Sequence, residues 1–199
     1  NIDLAAATAH NVVAMNTPGR NSNAVAELAL GMMVMAVRNL YNGTSGTELM
    51  GKKLGIHAYG NVGRNVARIA KGFGMDIYAY DAYCPDEVMI AEGVTPLHSA
   101  EELYATCDVV SLHIPATPET KASINYALLA HMPKGGLLVI TPTGLSYTLS
   151  PSLTDSTVIT PSLSAIIQCR GESGSCSLNG MSAKLILSKS ERASPTFSH

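Results

Sequence analysis

The residues best suited to chemistry lie together in one turn. Ala58-Tyr59-Gly60-Asn61-Val62-Gly63 fits the spacing Gly-x-Gly-x-x-Gly, with Ala58 in place of the first glycine. In that spacing Gly60 lets the backbone come close to a pyrophosphate, and Gly63 lets the following helix pack close to the preceding strand. The phosphates then sit at the helix N-terminus, on unpaired backbone N–H groups and the positive end of the helix dipole. Asp81 follows about 20 residues beyond the turn, where an acidic side chain accepts hydrogen bonds from an adenosine ribose. This favours NAD over NADP, because a 2'-phosphate would meet the carboxylate while Ala82, Tyr83 and Cys84 offer it no cation. A plain glycine bend in an α/β domain is the alternative reading, and the flanking elements and Asp81 weigh against it.

The elements that must position this turn are legible as apolar runs. Leu54 to Tyr59 reads as a strand, Val62, Val66, Ile69 and Ala70 recur at helical spacing, and Ile77 to Tyr80 is a second strand. Upstream, Ile2 to Thr8 reads as a short helix and Val12 to Met15 as a buried strand, with Thr17 at its end before the turn Pro18-Gly19. Asn21, Ser22 and Asn23 offer caps to a helix from Ala24 to Tyr41, whose apolar residues cover more than one face and imply burial on two sides. Its methionines, Met32, Met33 and Met35, read as packing or a subunit contact rather than a cofactor site.

Downstream, Pro85 to Ala91 reads as a helix, Val94 to Leu97 as a strand, and Ser99 caps a helix through Tyr104. Val109 to His113 is a strand, a short helix lies near Ala127 to His131, and Leu137 to Ile140 is the last strand the pattern supports. Alternating strands and helices imply an α/β fold, a Rossmann-type doubly wound parallel sheet, incomplete at its edge. A ligand then belongs at the strand C-terminal ends, where Thr17, Gly60, Asp81, His113 and Thr141 fall.

Composition narrows the partner. At 199 residues with 46% hydrophobic content the chain can bury one core, and a net charge of −2 leaves no basic face for nucleic acid. No apolar span is long enough to cross a membrane, and no signal peptide is visible. Cys84, Cys107, Cys169 and Cys176 show no Cys-x-x-Cys pairing, so free thiols in the cytoplasm and no metal centre are expected. The opening Asn1-Ile2-Asp3 has no initiator methionine, which suggests a start inside a longer reading frame.

The chain resembles the D-isomer-specific 2-hydroxyacid dehydrogenases. The residues that carry the likeness include Asn1-Ile2-Asp3, Met15-Asn16-Thr17-Pro18-Gly19, Gly46-Thr47-Glu48-Leu49, Gly51-Lys52-Lys53-Leu54-Gly55-Ile56, Tyr59-Gly60-Asn61-Val62-Gly63, Tyr80-Asp81 and Ser111-Leu112-His113-Ile114-Pro115. The resemblance implies hydride transfer between a small 2-hydroxy acid and NAD. It also implies NAD contacts from Thr17, Asn61, Val62, Asp81, His113 and Ile114, and a homodimer through the helix Ala24 to Tyr41. His113 belongs, on this likeness, beside the cofactor and not among the proton carriers.

Such enzymes use an arginine to hold the substrate carboxylate, and a histidine with an acidic partner to move the hydroxyl proton. None of the three has a candidate in register. Thr143 stands where the arginine would be, and it cannot make the bidentate grip. Thr160-Pro161-Ser162 only faintly echoes the histidine segment, at too short a spacing.

From Leu145 onward serine dominates and periodicity fades, so an NAD-binding unit over 1–144 and a disordered or irregular tail over 145–199 are expected. Because the likeness stops within a residue or two of Ile140, the tail is expected to be read in a shifted frame, leaving an unfinished sheet edge. Two rivals remain: a non-catalytic NAD-binding or dimerising remnant, and a regulatory Rossmann module of another kind. Asn16-Thr17-Pro18 and Gly46-Thr47-Glu48-Leu49 speak against the second rival.

Overall fold

The computed structural model describes residues 2–41, 43–115, 117, 120 and 123–141, together with the backbone of 165–168. The first helix, α1 (Leu4–Ala9), starts two residues later than its apolar pattern because Asp3 caps it, its carboxylate accepting from the Ala6 amide at 3.0 Å. The apolar run Val12 to Met15 is not a strand. Val13 and Met15 are 79% and 85% exposed, and among the described residues no strand pairs with this segment. Four apolar residues do not make a strand without a ladder to join.

Helix α2 (Ser22–Val37) stops short of Tyr41, since a 3-10 turn at Asn39–Tyr41 holds both end residues at φ 52°. Left-handed backbone cannot continue a right-handed helix. Within this chain α2 buries one face, through Ala26, Ala29, Leu30, Met33 and Val37, while Leu28 and Met35 on its other side stay 46% and 44% exposed.

The sheet is built from β1 (Lys53–His57), β2 (Asp76–Tyr80), β3 (Thr95–Pro96), β4 (Val109–Leu112), β5 (Leu137–Ile140) and β6 (Ala165–Gln168), in the order β3-β2-β1-β4-β5-β6. The first five run parallel, which bears out the doubly wound α/β reading. Helices α3 (Asn61–Gly72), α4 (Asp86–Ala91), α5 (Ala100–Thr106) and α6 (Tyr126–Leu129) cross between strands. β3 contracts to two residues, in keeping with a proline on an edge strand.

Strand residues alternate between two cores. Val109, Leu137 and Val139 join α2 and α3 on one side, while Val110, Leu112, Leu138 and Ile140 join α5 and α6 on the other. Side chains of β1, β4 and β5 are buried almost throughout, as parallel strands covered on both faces require.

The sheet does not end at β5. β6 pairs with it antiparallel, with Leu137 opposite Gln168 and Ile140 opposite Ala165, so the expectation of an open edge beyond Ile140 is overturned. Ala165-Ile166-Ile167-Gln168 carries two β-branched residues in succession, which suits a strand even within a serine-rich neighbourhood. The remainder of the tail, Thr143 and Ser162 included, lies outside the described residues.

Candidate functional site

The C-terminal ends of β1, β2, β4 and β5 converge, and the turn after β1 lies at their centre. Ala58, where the spacing calls for glycine, holds φ at +80°. A Cβ there costs roughly 1–2 kcal/mol of backbone energy. Gly63 has no such latitude, since a Cβ would run into the Ala58 carbonyl oxygen and sit 2.9 Å from Ile56 Cγ2. Gly60 is the opposite case: a Cβ there would meet nothing within 4 Å among the described residues, so their packing does not demand a glycine and they leave the space above it open. It is also the N-cap of α3 and supplies no side-chain cap, leaving the twelve-residue helix with an uncapped N-terminus facing that space.

Two concavities flank the turn. A cleft of about 250 Å³ is lined by Gly19, Gly60, Asn61, Val62, Gly63 and His113. A larger cavity of about 560 Å³ includes His57, Ala58, Asp81, Tyr83, Ile114 and Thr117 in its wall. The half-buried Asp81 is fixed by three backbone donors. Its Oδ2 accepts from the Tyr59 amide at 2.7 Å, and its Oδ1 from the amides of Tyr83 and Cys84 at 2.8 and 3.1 Å. A carboxylate has about four lone-pair positions, so by count Asp81 keeps an acceptor free for a ligand hydroxyl.

Two buried histidines close the floor. His57 ends β1 with its Nδ1 3.4 Å from the Tyr104 hydroxyl, and burial lowers its pKa to about 4 against the pull of Asp81 and Glu101. His113 follows β4, its amide donating to the His57 carbonyl at 2.9 Å and its Nε2 lying 2.8 Å from Ser111 Oγ. Burial and then the neighbouring His57 lower its pKa, again to about 4. Both rings are neutral at pH 7. His113 Nδ1 and the Thr141 hydroxyl, after β4 and β5, are buried polar atoms with no hydrogen-bond partner among the described residues. Groups of this kind call for one, because burying them unpaired costs about 1–3 kcal/mol each.

The structure thus gathers Ala58, Gly60, Asn61, Val62, Gly63, Asp81, His113, Ile114 and Thr141 at one end of the sheet. Thr17 is not at a strand end; it is exposed in the loop before α2. From that loop Gly19 and Asn21 line the smaller cleft beside the turn, and a Cβ at Gly19 would lie 3.0 Å from Asn61 Nδ2. Sequence reasoning passed over Gly19, His57, Tyr59 and Ser111. Gly19 carried the signal of a Pro-Gly turn, whereas a lone histidine in an apolar strand carries none. Among the described residues no group of three or more His, Cys, Asp or Glu could hold a metal, and no helix is long and apolar enough to cross a membrane.

Comparison with known proteins agrees with this geometry. Residues 23–144 match the family model described as D-isomer specific 2-hydroxyacid dehydrogenase, NAD binding domain. The match ends at residue 144, four residues past the end of β5 at Ile140. D-3-phosphoglycerate dehydrogenase of Methanocaldococcus jannaschii is 38% identical over 152 residues, covering 70% of this chain and 29% of that protein. Hydroxypyruvate reductase of Thermotoga maritima is 36% identical, covering 72% of this chain and 50% of that one. Among solved structures, NAD+-bound 3-phosphoglycerate dehydrogenase of Entamoeba histolytica superposes with a TM-score of 0.61 at 42% identity, over 70% of this chain and 44% of its own. The apo D-lactate dehydrogenase of Escherichia coli gives a TM-score of 0.63 at 33% identity, over 70% and 48%. The chain therefore spans half or less of the length of these relatives.

Proposed function

We propose, because this chain belongs to the D-isomer specific 2-hydroxyacid dehydrogenases and carries their NAD binding domain, that it holds NAD at the strand C-terminal ends as the cofactor half of such an enzyme. The observation that carries the reading is the turn itself, with Gly63 pressed on the Ala58 carbonyl, open space over Gly60, and Asp81 anchored to the Tyr59 amide. The residues fit the group. The uncapped α3 N-terminus suits a pyrophosphate, Asp81 suits a ribose diol, and the unpartnered atoms of His113 and Thr141 suit a polar ligand.

In this reading Gly60, Asn61, Val62 and Gly63 bind the phosphates, Asp81 orients the ribose, and Ala58 and Ile114 exclude water along the larger cavity. Thr17 contributes from the loop before α2, while His113 and Thr141 accept or donate on the far side of the turn. NAD, when bound, supplies the acceptor for a hydride leaving the substrate carbon. The substrate of the whole enzyme is a small 2-hydroxy acid resembling 3-phosphoglycerate, which places it in serine biosynthesis and in the cytoplasm. The exposed side of α2, with Leu28 and Met35, forms a homodimer contact. The NAD-binding unit is built on residues 1–144, and β6 from the segment that follows adds the last strand to its sheet.

Among the described residues no arginine lines either concavity, which favours cofactor binding without turnover by this chain alone. Isothermal titration of the 199-residue chain with NAD and with NADP tests the reading. NAD is expected to bind and NADP to bind more weakly; tighter NADP binding, or no binding of NAD, would overturn it.

A further inference from the structure

Tyr59 is the unassigned residue of the turn, and it is tied down at both ends. Its backbone N–H holds Asp81 Oδ2 at 2.7 Å, while its side chain is buried and its hydroxyl donates to Glu92 Oε2 at 2.8 Å. Burial, and then the bond to Glu92, push the phenol pKa well above its usual range, so the hydroxyl stays a donor. Glu92 follows α4, far in sequence from the turn, and is itself held. Arg64 Nη1 reaches its Oε1 at 3.1 Å, Lys71 Nζ donates to its carbonyl, and its own amide donates to Val88. The Arg64 guanidinium also lies over the Tyr59 ring, 5.7 Å from its centroid.

A bulky aromatic is therefore locked between two acidic groups, one structural and one facing the cavity. The backbone on either side of Tyr59 is held by the sheet and by α3, the Ala58 amide donating to the Tyr80 carbonyl at 2.9 Å and the Gly60 carbonyl accepting from the Arg64 amide at 3.0 Å, so Tyr59 adds a side-chain anchor to this segment. The Tyr59 ring and its bond to Glu92 fix the amide from the side-chain end, and among the described residues the amide is the one donor on Asp81 Oδ2, opposite the Tyr83 and Cys84 amides on Oδ1. We infer that Glu92 and Tyr59 are positioning residues for the ribose acid, setting the preference for NAD over NADP by aiming the Asp81 carboxylate through the Tyr59 amide. This rests on the NAD reading above.

The test is titration of the full chain, unaltered and as Tyr59→Phe, Glu92→Gln and the double variant, with NAD, NADP and ADP-ribose. Each single variant is expected to weaken NAD and ADP-ribose alike by about fivefold, the low end of coupling between linked sites. NADP affinity is expected to hold or rise, so the NAD-to-NADP ratio falls, and the double variant should be no worse than either single one. General loosening of the fold would not move that ratio selectively. An unchanged ratio, or additive losses in the double variant, would overturn the inference while leaving the NAD reading intact. Failure of the unaltered chain to bind NAD would overturn both. Thermal melting of each variant shows whether it is folded. Should Tyr59→Phe not fold, Glu92→Gln at the half-exposed end of the pair decides by the same ratio.

Discussion

Ala58 and Gly63 divide the constraint on the turn between them. Ala58 carries a Cβ at φ +80°, so Ala58→Gly is expected to raise stability by about 1 kcal/mol, read as a higher denaturation midpoint, with NAD affinity unchanged or slightly tighter. Gly63→Val must push α3 away from β1, since even one carbon would overlap the Ala58 carbonyl, and it is expected to abolish NAD binding in calorimetry. The neutral histidines set a pH response. In the folded chain His57 and His113 titrate near 4, against 6.5 as the ordinary value, so between those limits the unfolded chain binds more protons. Stability is therefore whole above about pH 6.5 and falls as pH drops toward 4, by up to about 3 kcal/mol per ring. Urea melts at pH 7, 5.5 and 4.5 should follow this slope, and His57→Gln should flatten it. These histidines were not legible as a pair, because the register that puts one backbone against the other is a property of the sheet.

At the scale of elements, the parallel strands and their crossing helices could be read from period and length alone, Leu137–Ile140 to the residue. The failures have physical causes. Val12 to Met15 is apolar enough for a strand, but the sheet offers it no neighbour. Tyr41 looks helical, yet left-handed backbone at Asn39 ends α2 first. β6 was invisible because its partner lies far away in sequence, and pairing rather than local pattern defines it. The apolar breadth of α2 was legible, and the chain itself covers only one face. Leu28→Glu with Met35→Glu is expected to shift sedimentation from dimer to monomer with little change in melting temperature. A monomeric unaltered chain would dismiss the contact.

For the whole molecule, sequence and structure agree on a nucleotide-binding unit and give no reacting centre within the described residues. Purified 199-residue chain is expected to show no NAD reduction with 3-phosphoglycerate while still binding NAD; turnover that persists through repeated purification would refute this. The cofactor end was readable because a glycine turn and a strand-end carboxylate leave fixed spacings, whereas a substrate site assembled from distant segments leaves none. The antiparallel closure of the sheet bears on how the chain is made. β5 ends at Ile140 and β6 begins at Ala165, so the ribosome must add the 24 residues 141–164 before the partner of β5 starts to emerge. At roughly 5–20 residues per second, β5 waits about 1–5 s with its outer edge bare. Through that interval the nascent polypeptide is open to pairing with a neighbour on the same polysome. The length of the segment between β5 and β6, together with the pace of translation across it, sets how long that hazard lasts.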